Sequence, residues 1–402
     1  MSAPDFTISP QLGRNLERVQ QRSLIVGIVA LLLCVSGAVF APQQFFRSYL
    51  YSYMFYIGLT LGCMALAMLQ YLSGGAWGIV IRRITESATR TILLLLFLFI
   101  PIVIGIPSLY SWSHDDVVRA DPILQHKHLY LNVPFFLGRA AFYFAGWLIF
   151  AHFMNKWSHQ QDAGGGRTLA RRLQLLSGPG LVFYGLSVTF AAVDWVMSIE
   201  PHWFSTIYGL LFIAGQGLSA LCFCIALLVI FSREGGPLEG VIGPAHLHDI
   251  GKLMLTFTML WAYFSYSQFL IIWSGNLADE IPWYIERLRG GWQWIGLVLV
   301  AFHFAFPFAL LLSRSLKRSR RTLVRIAALI IVLRFLDLFW QVAPGFHKAG
   351  FHVHWMDFVA PVGIGGLWLA MFLFQLKKWP LLPLRDAHLQ EALAHGGASE
   401  LS

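Results

Sequence analysis

Long apolar runs separated by short polar stretches make up most of this chain. Each run is about 20 residues long, the length that an α-helix needs to cross roughly 30 Å of hydrocarbon. The runs do not alternate apolar with polar residues as the strands of a membrane barrel would, so they predict helices. The ten predicted spans are Leu24–Ala41, Tyr49–Leu72, Thr91–Tyr110, Leu131–Met154, Pro179–Ile199, Phe204–Phe231, Leu253–Trp273, Trp292–Ser313, Leu323–Ala343 and Trp355–Leu376.

The composition supports the same class of protein. Hydrophobic residues make up 57% of the chain and charged residues only 12%, against about 25% charged residues in a soluble domain. We therefore predict an all-α integral membrane protein with about ten transmembrane helices, and we exclude a soluble enzyme.

The first run also has features of a secretory signal peptide. Arg14, Arg18 and Arg22 precede it, and Ala38–Ala41 resembles a cleavage site. The run is longer than a usual signal core, and Pro42 would directly follow the cut. We therefore predict that this run is retained as an anchor.

The basic residues indicate the orientation of the helices. With the amino terminus in the cytoplasm, 21 of the 29 lysines and arginines flank helices on the cytoplasmic side, and only six lie on the outer side. Cytoplasmic loops of membrane proteins carry this excess, so both termini are predicted to be cytoplasmic, in a bacterial cytoplasmic membrane. Membrane lipids thus account for the net charge of +9, and no nucleic acid partner is predicted.

Two halves of the chain show a faint duplication. Asp194 precedes Pro201 by seven residues, and Asp337 precedes Pro344 by the same interval. A parallel repeat of two four-helix bundles with two peripheral helices would explain this spacing. The tail after Pro383 is polar and is expected to be poorly ordered. The predicted units are a cytoplasmic N-terminal segment at 1–23, a membrane domain at 24–376 with bundles at about 49–199 and 204–343, and a cytoplasmic tail at 377–402.

Five ionisable residues lie more than one helical turn from either end of their predicted spans. A charge at bilayer depth costs at least about 2.5–3.5 kcal/mol, so each one is a candidate functional residue. Arg334 and Asp337 share one face of the ninth span, and His303 lies at a similar depth in the eighth. Arg139 and Asp194 can meet if the fourth and fifth spans are neighbours. We interpret all five as candidates for a proton relay or for polar contacts with a quinone; the alternative is ion pairs that only hold helices together.

The sequence contains no recognisable metal or redox site. The four cysteines lie in apolar runs without zinc-finger spacing, and only His303 is placed as a haem ligand within a bundle would be. Two outer loops are rich in histidine but lack a cysteine or an HExxH pattern. Those histidines are His114, His126, His128, His347, His352 and His354. We predict that the chain binds no cofactor of its own.

Several segments of the sequence resemble a known family. They are Tyr71–Gly78, Arg82–Glu86, Ala192–Ser198, Glu200–Thr206, Ser267–Leu277 and Glu280–Tyr284. These segments are similar to the F-type membrane subunits of bacterial alternative complex III, within the NrfD-like (polysulfide reductase membrane-subunit) superfamily. The similarity extends from about Tyr49 to Leu376.

The resemblance implies a non-catalytic subunit of a respiratory quinol:cytochrome c oxidoreductase. In that family, iron–sulfur and multihaem cytochrome c subunits take electrons from quinol, and two related ten-helix subunits form the membrane arm. The quinol site is usually assigned to the sister subunit, while the F-type subunit is proposed to conduct protons. Contact of this chain with quinol or menaquinol stays open, and roles for the five buried residues do not transfer from the family.

Two other functions fit the same features. A proton-coupled secondary transporter also combines repeats with buried charges, and helix breaks at mid-depth would favour it; Pro101 and Pro307 are the clear prolines within spans. A purely structural scaffold subunit would need its buried charges only for packing.

Overall fold

The computed structural model describes residues 6–164 and 166–397, and all regular secondary structure in this part of the chain is helical. Eleven helices define the fold. They are α1 (Pro10–Phe40), α2 (Pro42–Ser73), α3 (Arg82–Ile104), α4 (Val133–Ala163), α5 (Gly166–Trp195), α6 (Tyr208–Phe231), α7 (Pro244–Gly275), α8 (Trp292–Leu312), α9 (Arg320–Val342), α10 (Met356–Leu376) and α11 (Leu389–Gly397). The prediction of an all-α membrane protein with about ten spans is confirmed.

Nine of these helices, within the described ranges, are long and apolar enough to cross a bilayer. The tenth span is α9, which has 23 residues and lies between other helices of the membrane domain. Helix α9 is not among these nine, and it carries three charged residues inside its length: Arg325, Arg334 and Asp337. Two of the candidate functional residues therefore lie in a helix that is not among these nine.

The helices extend beyond the predicted apolar runs. Helix α5 begins at Gly166 rather than at Pro179, and α7 begins at Pro244 rather than at Leu253. An apolar run marks only the part of a helix inside hydrocarbon, whereas the backbone continues its hydrogen bonds into the polar interface. Helix α3 likewise starts at Arg82, because its first turns are buried by ion pairs rather than by apolar side chains.

Helices α2 and α6 form the centre of the molecule. They pack against each other, α2 also contacts α5 and α10, and α6 contacts α7 and α9. Gly62 of α2 allows the close approach, because a Cβ atom at this position would overlap the backbone carbonyl of Gln216 in α6. Small residues at helix contacts are typical of membrane bundles.

Helices α1 and α10 pair at the edge of the molecule. A Cβ atom on Gly27 would lie 2.7 Å from the backbone nitrogen of Leu367, so the two backbones are in direct contact. Most of the apolar side chains of α1 remain exposed, as expected for a helix surrounded by lipid. The assignment of two peripheral helices and the boundaries of the two bundles stay predictions.

The expectation of a poorly ordered tail after Pro383 was wrong for residues 384–397. The backbone nitrogen of Leu381 donates to the carbonyl oxygen of Phe6 over 3.0 Å, and the carboxylate of Asp386 pairs with Arg82 at 2.7 Å. Helix α11 then reaches α7, where His395 contacts Asp249. The last predicted tail residues, 398–402, lie outside the described residues.

Candidate functional site

Arg139 of α4 and Asp194 of α5 form a buried ion pair. The guanidinium donates from Nε to Oδ2 and from Nη2 to Oδ1, each over 2.9 Å. The hydroxyl of Tyr143 donates a third hydrogen bond to Oδ2 over 2.8 Å, and the side chain of Asp194 is fully buried. The structure thus brings together the two candidate residues of the first predicted bundle.

Aromatic residues hold the guanidinium of Arg139 in place. It lies 3.8 Å from the ring centroid of Tyr130 and 4.5 Å from that of Phe135, and it donates to the carbonyl oxygen of Tyr130 over 3.0 Å. A forked pair on aromatic faces fixes the geometry of a carboxylate and stabilises its charge. The carboxylate of Asp194 is therefore held in one orientation inside the bundle.

A cavity of about 270 Å³ adjoins this ion pair. Its wall is mainly apolar, with few polar groups, as in typical sites for small organic ligands. Tyr130 lines the cavity with its ring, while its phenol oxygen is buried near the carboxylate of Asp194. The lining residues are Lys127, Tyr130, Leu131, Val193, Met197, Ser198, Pro201, Trp203 and Phe204.

A second buried ion pair joins Arg334 and Asp337 of α9. The indole N–H of Trp261 in α7 donates to Oδ2 of Asp337 over 3.2 Å. The guanidinium of Arg334 lies against Gly215 of α6, where a Cβ atom would come within 2.7 Å of Nη1 and closer still to other guanidinium atoms. Three helices therefore contribute to this pair.

His303 of α8 reaches this pair only through Trp261. Its imidazole is fully buried and packs against the indole with ring centroids 4.3 Å apart, and neither ring nitrogen has a partner in the described part of the chain. The residue lies in a π-helical stretch, Leu299–Ala305. Pro307 lacks the N–H that would bond the carbonyl of His303 in a regular helix, which favours this irregularity.

Polar side chains continue from Asp337 toward the predicted outer end. The buried side chain of Gln341 lies one turn along α9 from Asp337. The carbonyl oxygen of Gln341 accepts from Nη2 of Arg287 over 3.0 Å, and the same nitrogen pairs with Glu200 at 2.7 Å. Arg287 is fully buried, with its guanidinium 3.6 Å from the ring centroid of Trp283.

Glu286 and Lys348 complete this row at its outer end. The carboxyl of Glu286 lies near that of Glu200 and pairs with Lys348 at 3.2 Å. Burial raises the pKa of Glu286, and the neighbouring charge of Glu200 raises it further against the opposing effect of Lys348. Glu286 therefore retains its proton at a higher pH than an exposed glutamate does. We call the series from Asp337 through Gln341, Arg287 and Glu200 to Glu286 the outer polar row.

Sequence reasoning missed Trp261, Arg287 and Glu200. Arg287 is one of the six lysines and arginines that the sequence predicts on the outer side, in a loop that precedes a glycine-rich turn. Glu200 lies in one of the segments that resemble the known family, directly before Pro201, which was a usable signal. Nothing in the sequence pairs these two residues, which are 87 positions apart.

Another buried cluster lies at the predicted cytoplasmic end. Arg83 pairs with Glu86 and with Asp162, and the hydroxyl of Ser158 donates to Glu86 over 2.6 Å. These cations were predicted to flank a helix in contact with lipid headgroups, but Arg83 is only 2% exposed. Their charges are matched by carboxylates inside the protein.

No group of three or more histidine, cysteine or acidic side chains in the described ranges could hold a metal ion. The four cysteines are free and buried, and the sulfur of Cys222 contacts that of Met254 at 3.5 Å. No protein-family model matches this chain, and no curated protein matches it.

Proposed function

We propose that this chain is the non-catalytic membrane subunit of a quinol-oxidising respiratory complex and that its buried polar residues conduct protons. The outer polar row carries the proposal, because its residues lead from a carboxylate at bilayer depth toward a protonatable carboxyl near the predicted outer surface. Buried ionisable residues of this kind are typical of proton relays. The resemblance to alternative complex III subunits supplies the respiratory context.

Features beyond simple ion pairing favour a relay over a scaffold. An ion pair that only holds helices together needs no further polar groups. Here His303 has both ring nitrogens without a partner in the described residues, and the amide oxygen of Gln341 has none. Such buried groups are costly unless they bind water or exchange protons. Both lie beside the Arg334–Asp337 pair, where a proton would enter the outer polar row.

The redox chemistry in this proposal belongs to partner subunits. An iron–sulfur subunit and multihaem cytochrome c subunits would carry the electrons, and a sister NrfD-like subunit would complete the membrane arm. We place any contact of this chain with quinol or menaquinol at the cavity beside Asp194. Its apolar wall suits a quinone ring, and the ammonium group of Lys127 could bond a ring oxygen.

The Asp337→Asn variant tests the relay. The substitution removes the titratable carboxyl and leaves the charge of Arg334 unpaired, but the amide keeps the shape and an oxygen that accepts from Trp261. We therefore expect a less stable complex that still assembles, while proton-coupled quinol oxidation falls. Asp357→Asn is a matched control, because Asp357 is also buried and accepts from Ser48 over 2.6 Å, yet lies outside the row. Full activity and full coupling in Asp337→Asn would reduce the pair in α9 to a structural role.

Subunit composition tests the respiratory assignment. We expect the gently solubilised complex to contain c-type haem and iron–sulfur proteins, whereas the chain expressed alone should show no haem absorption. A proton-coupled secondary transporter is the second candidate, favoured by the π-helical stretch at mid-depth in α8. Isolation as a lone oligomer that transports a substrate would support the transporter and contradict the respiratory subunit.

A further inference from the structure

A groove of about 360 Å³ runs between the peripheral helices α1 and α10 and opens sideways to the surroundings. It lies outside the buried polar residues described above. Residues of α1, α2 and α10 form its walls. They are Arg22, Ser23, Val26, Tyr56, Val362, Gly365, Gly366 and Leu369.

Glycines make the groove hollow. The backbones of α1 and α10 touch where Gly27 meets Gly366. Gly365 and Gly366 contribute no side chains, so a trough remains next to this contact. The hydroxyl of Tyr56 lies against Gly365 and donates to the carbonyl oxygen of Pro361 over 3.0 Å, which fixes the floor.

The positively charged side chain of Arg22 lies at one end of the groove. Arg22 is exposed and has no hydrogen bond or ion pair with any other described residue. It directly precedes the apolar part of α1, so its guanidinium lies at the level of lipid headgroups. Arg18 and Arg14 continue the same helix face at intervals of four residues, and Glu17 is the one acidic residue of α1.

We propose that this groove binds one anionic phospholipid. Its phosphate would pair with Arg22, and an acyl chain would lie on the apolar wall formed by Val26, Val362 and Leu369. Basic pockets between transmembrane helices bind anionic headgroups, and the sideways opening admits a lipid directly from the bilayer. A free phosphate would gain nothing from the apolar wall. The inference does not depend on the proposed respiratory function.

A comparison of anionic and zwitterionic lipids tests whether the groove selects a negatively charged headgroup, without any change to the protein. The full-length protein is purified in detergent, mixed with phosphatidylglycerol or phosphatidylcholine of identical acyl chains, and studied by native mass spectrometry. We expect one phosphatidylglycerol to be retained about fivefold more tightly, the value of one arginine near a charged membrane surface. Equal retention of the two lipids would overturn the proposal.

Two pairs of variants test the position of the site. Arg22→Gln should abolish the preference for phosphatidylglycerol, whereas Arg14→Gln, two turns away, should keep it. Val26→Phe should fill the groove and lower retention of both lipids, whereas Val29→Phe, equally exposed at 50% on the same helix, should bind as the wild type does. Wild-type retention in Val26→Phe would contradict the site. All four side chains are exposed, so folding should be unaffected, and thermal unfolding checks this.

Discussion

Asp337 accepts a hydrogen bond from the indole N–H of Trp261 over 3.2 Å, across 76 residues of sequence. The same indole, which belongs to α7, also packs against His303 of α8. Trp261 therefore joins α7, α8 and α9 at the depth where the candidate proton-carrying residues lie. Its side chain both orients the carboxylate and separates it from the imidazole.

Trp261→Phe should lower both the free energy of unfolding and the proton coupling of the complex. The ring is largely kept, but Asp337 loses a donor, and a hydrogen bond to a charged group contributes about 1.5–3 kcal/mol. Chemical unfolding in detergent and proton uptake by the assembled complex measure the two effects. Trp340→Phe is the control, because the indole nitrogen of Trp340 is buried without a partner in the described residues. Equal losses in both variants would show that the hydrogen bond contributes nothing.

Replacing one member of the Arg334–Asp337 pair should lower the free energy of unfolding far more than replacing both. Arg334→Met or Asp337→Leu alone leaves a buried charge without its partner, and such changes cost about 3–5 kcal/mol. The double variant leaves no charge and should recover most of the loss in unfolding free energy. Additive losses in this cycle would mean that the two side chains do not stabilise each other.

Gly215→Ala should disrupt the same site from the opposite helix. The added methyl group would overlap the guanidinium of Arg334, which is held by Asp337 and has little freedom to move. We expect a loss of about 1–3 kcal/mol, as for other overpacked positions. Gly185→Ala in α5 is the control, because nothing lies within 4 Å of its added Cβ atom. That variant should be neutral or slightly stabilising, and thermal unfolding compares the two.

The sequence predicts depth in the membrane well and rotation about helix axes poorly. Hydropathy and helical rise place Arg139 and Asp194 at one level, and the structure brings them together. The contact of Trp261 with Asp337 depends on which face each helix turns to its neighbours. Apolar residues surround most of α9, so the sequence gives no signal for that rotation. The ordered tail was missed for a related reason, since Arg82 and Asp386 are 304 residues apart.

The ion pair between Arg82 and Asp386 should control whether the tail stays docked. Burial raises the pKa of Asp386, but Arg82 and hydrogen bonds lower it by more, so the net pKa lies below its usual range. A carboxyl with a lowered pKa stabilises the folded state above its unfolded pKa of about 3.9, and this contribution is lost as the pH falls through the folded value. Docking should therefore persist at pH 7 and weaken only in strong acid.

Hydrogen exchange of the tail amides measures this docking. The backbone nitrogen of His388 donates to Asp386 over 2.8 Å, and that of Leu384 donates to Asp162 over 3.0 Å. In Asp386→Asn, both amides should exchange faster at pH 7, because the charge that holds Arg82 is gone. Glu391→Gln is the control, since Glu391 is exposed and pairs only with His388 among the described residues. Unchanged protection in Asp386→Asn would show that apolar contacts of Leu381 and Leu382, both buried, are enough to dock the tail.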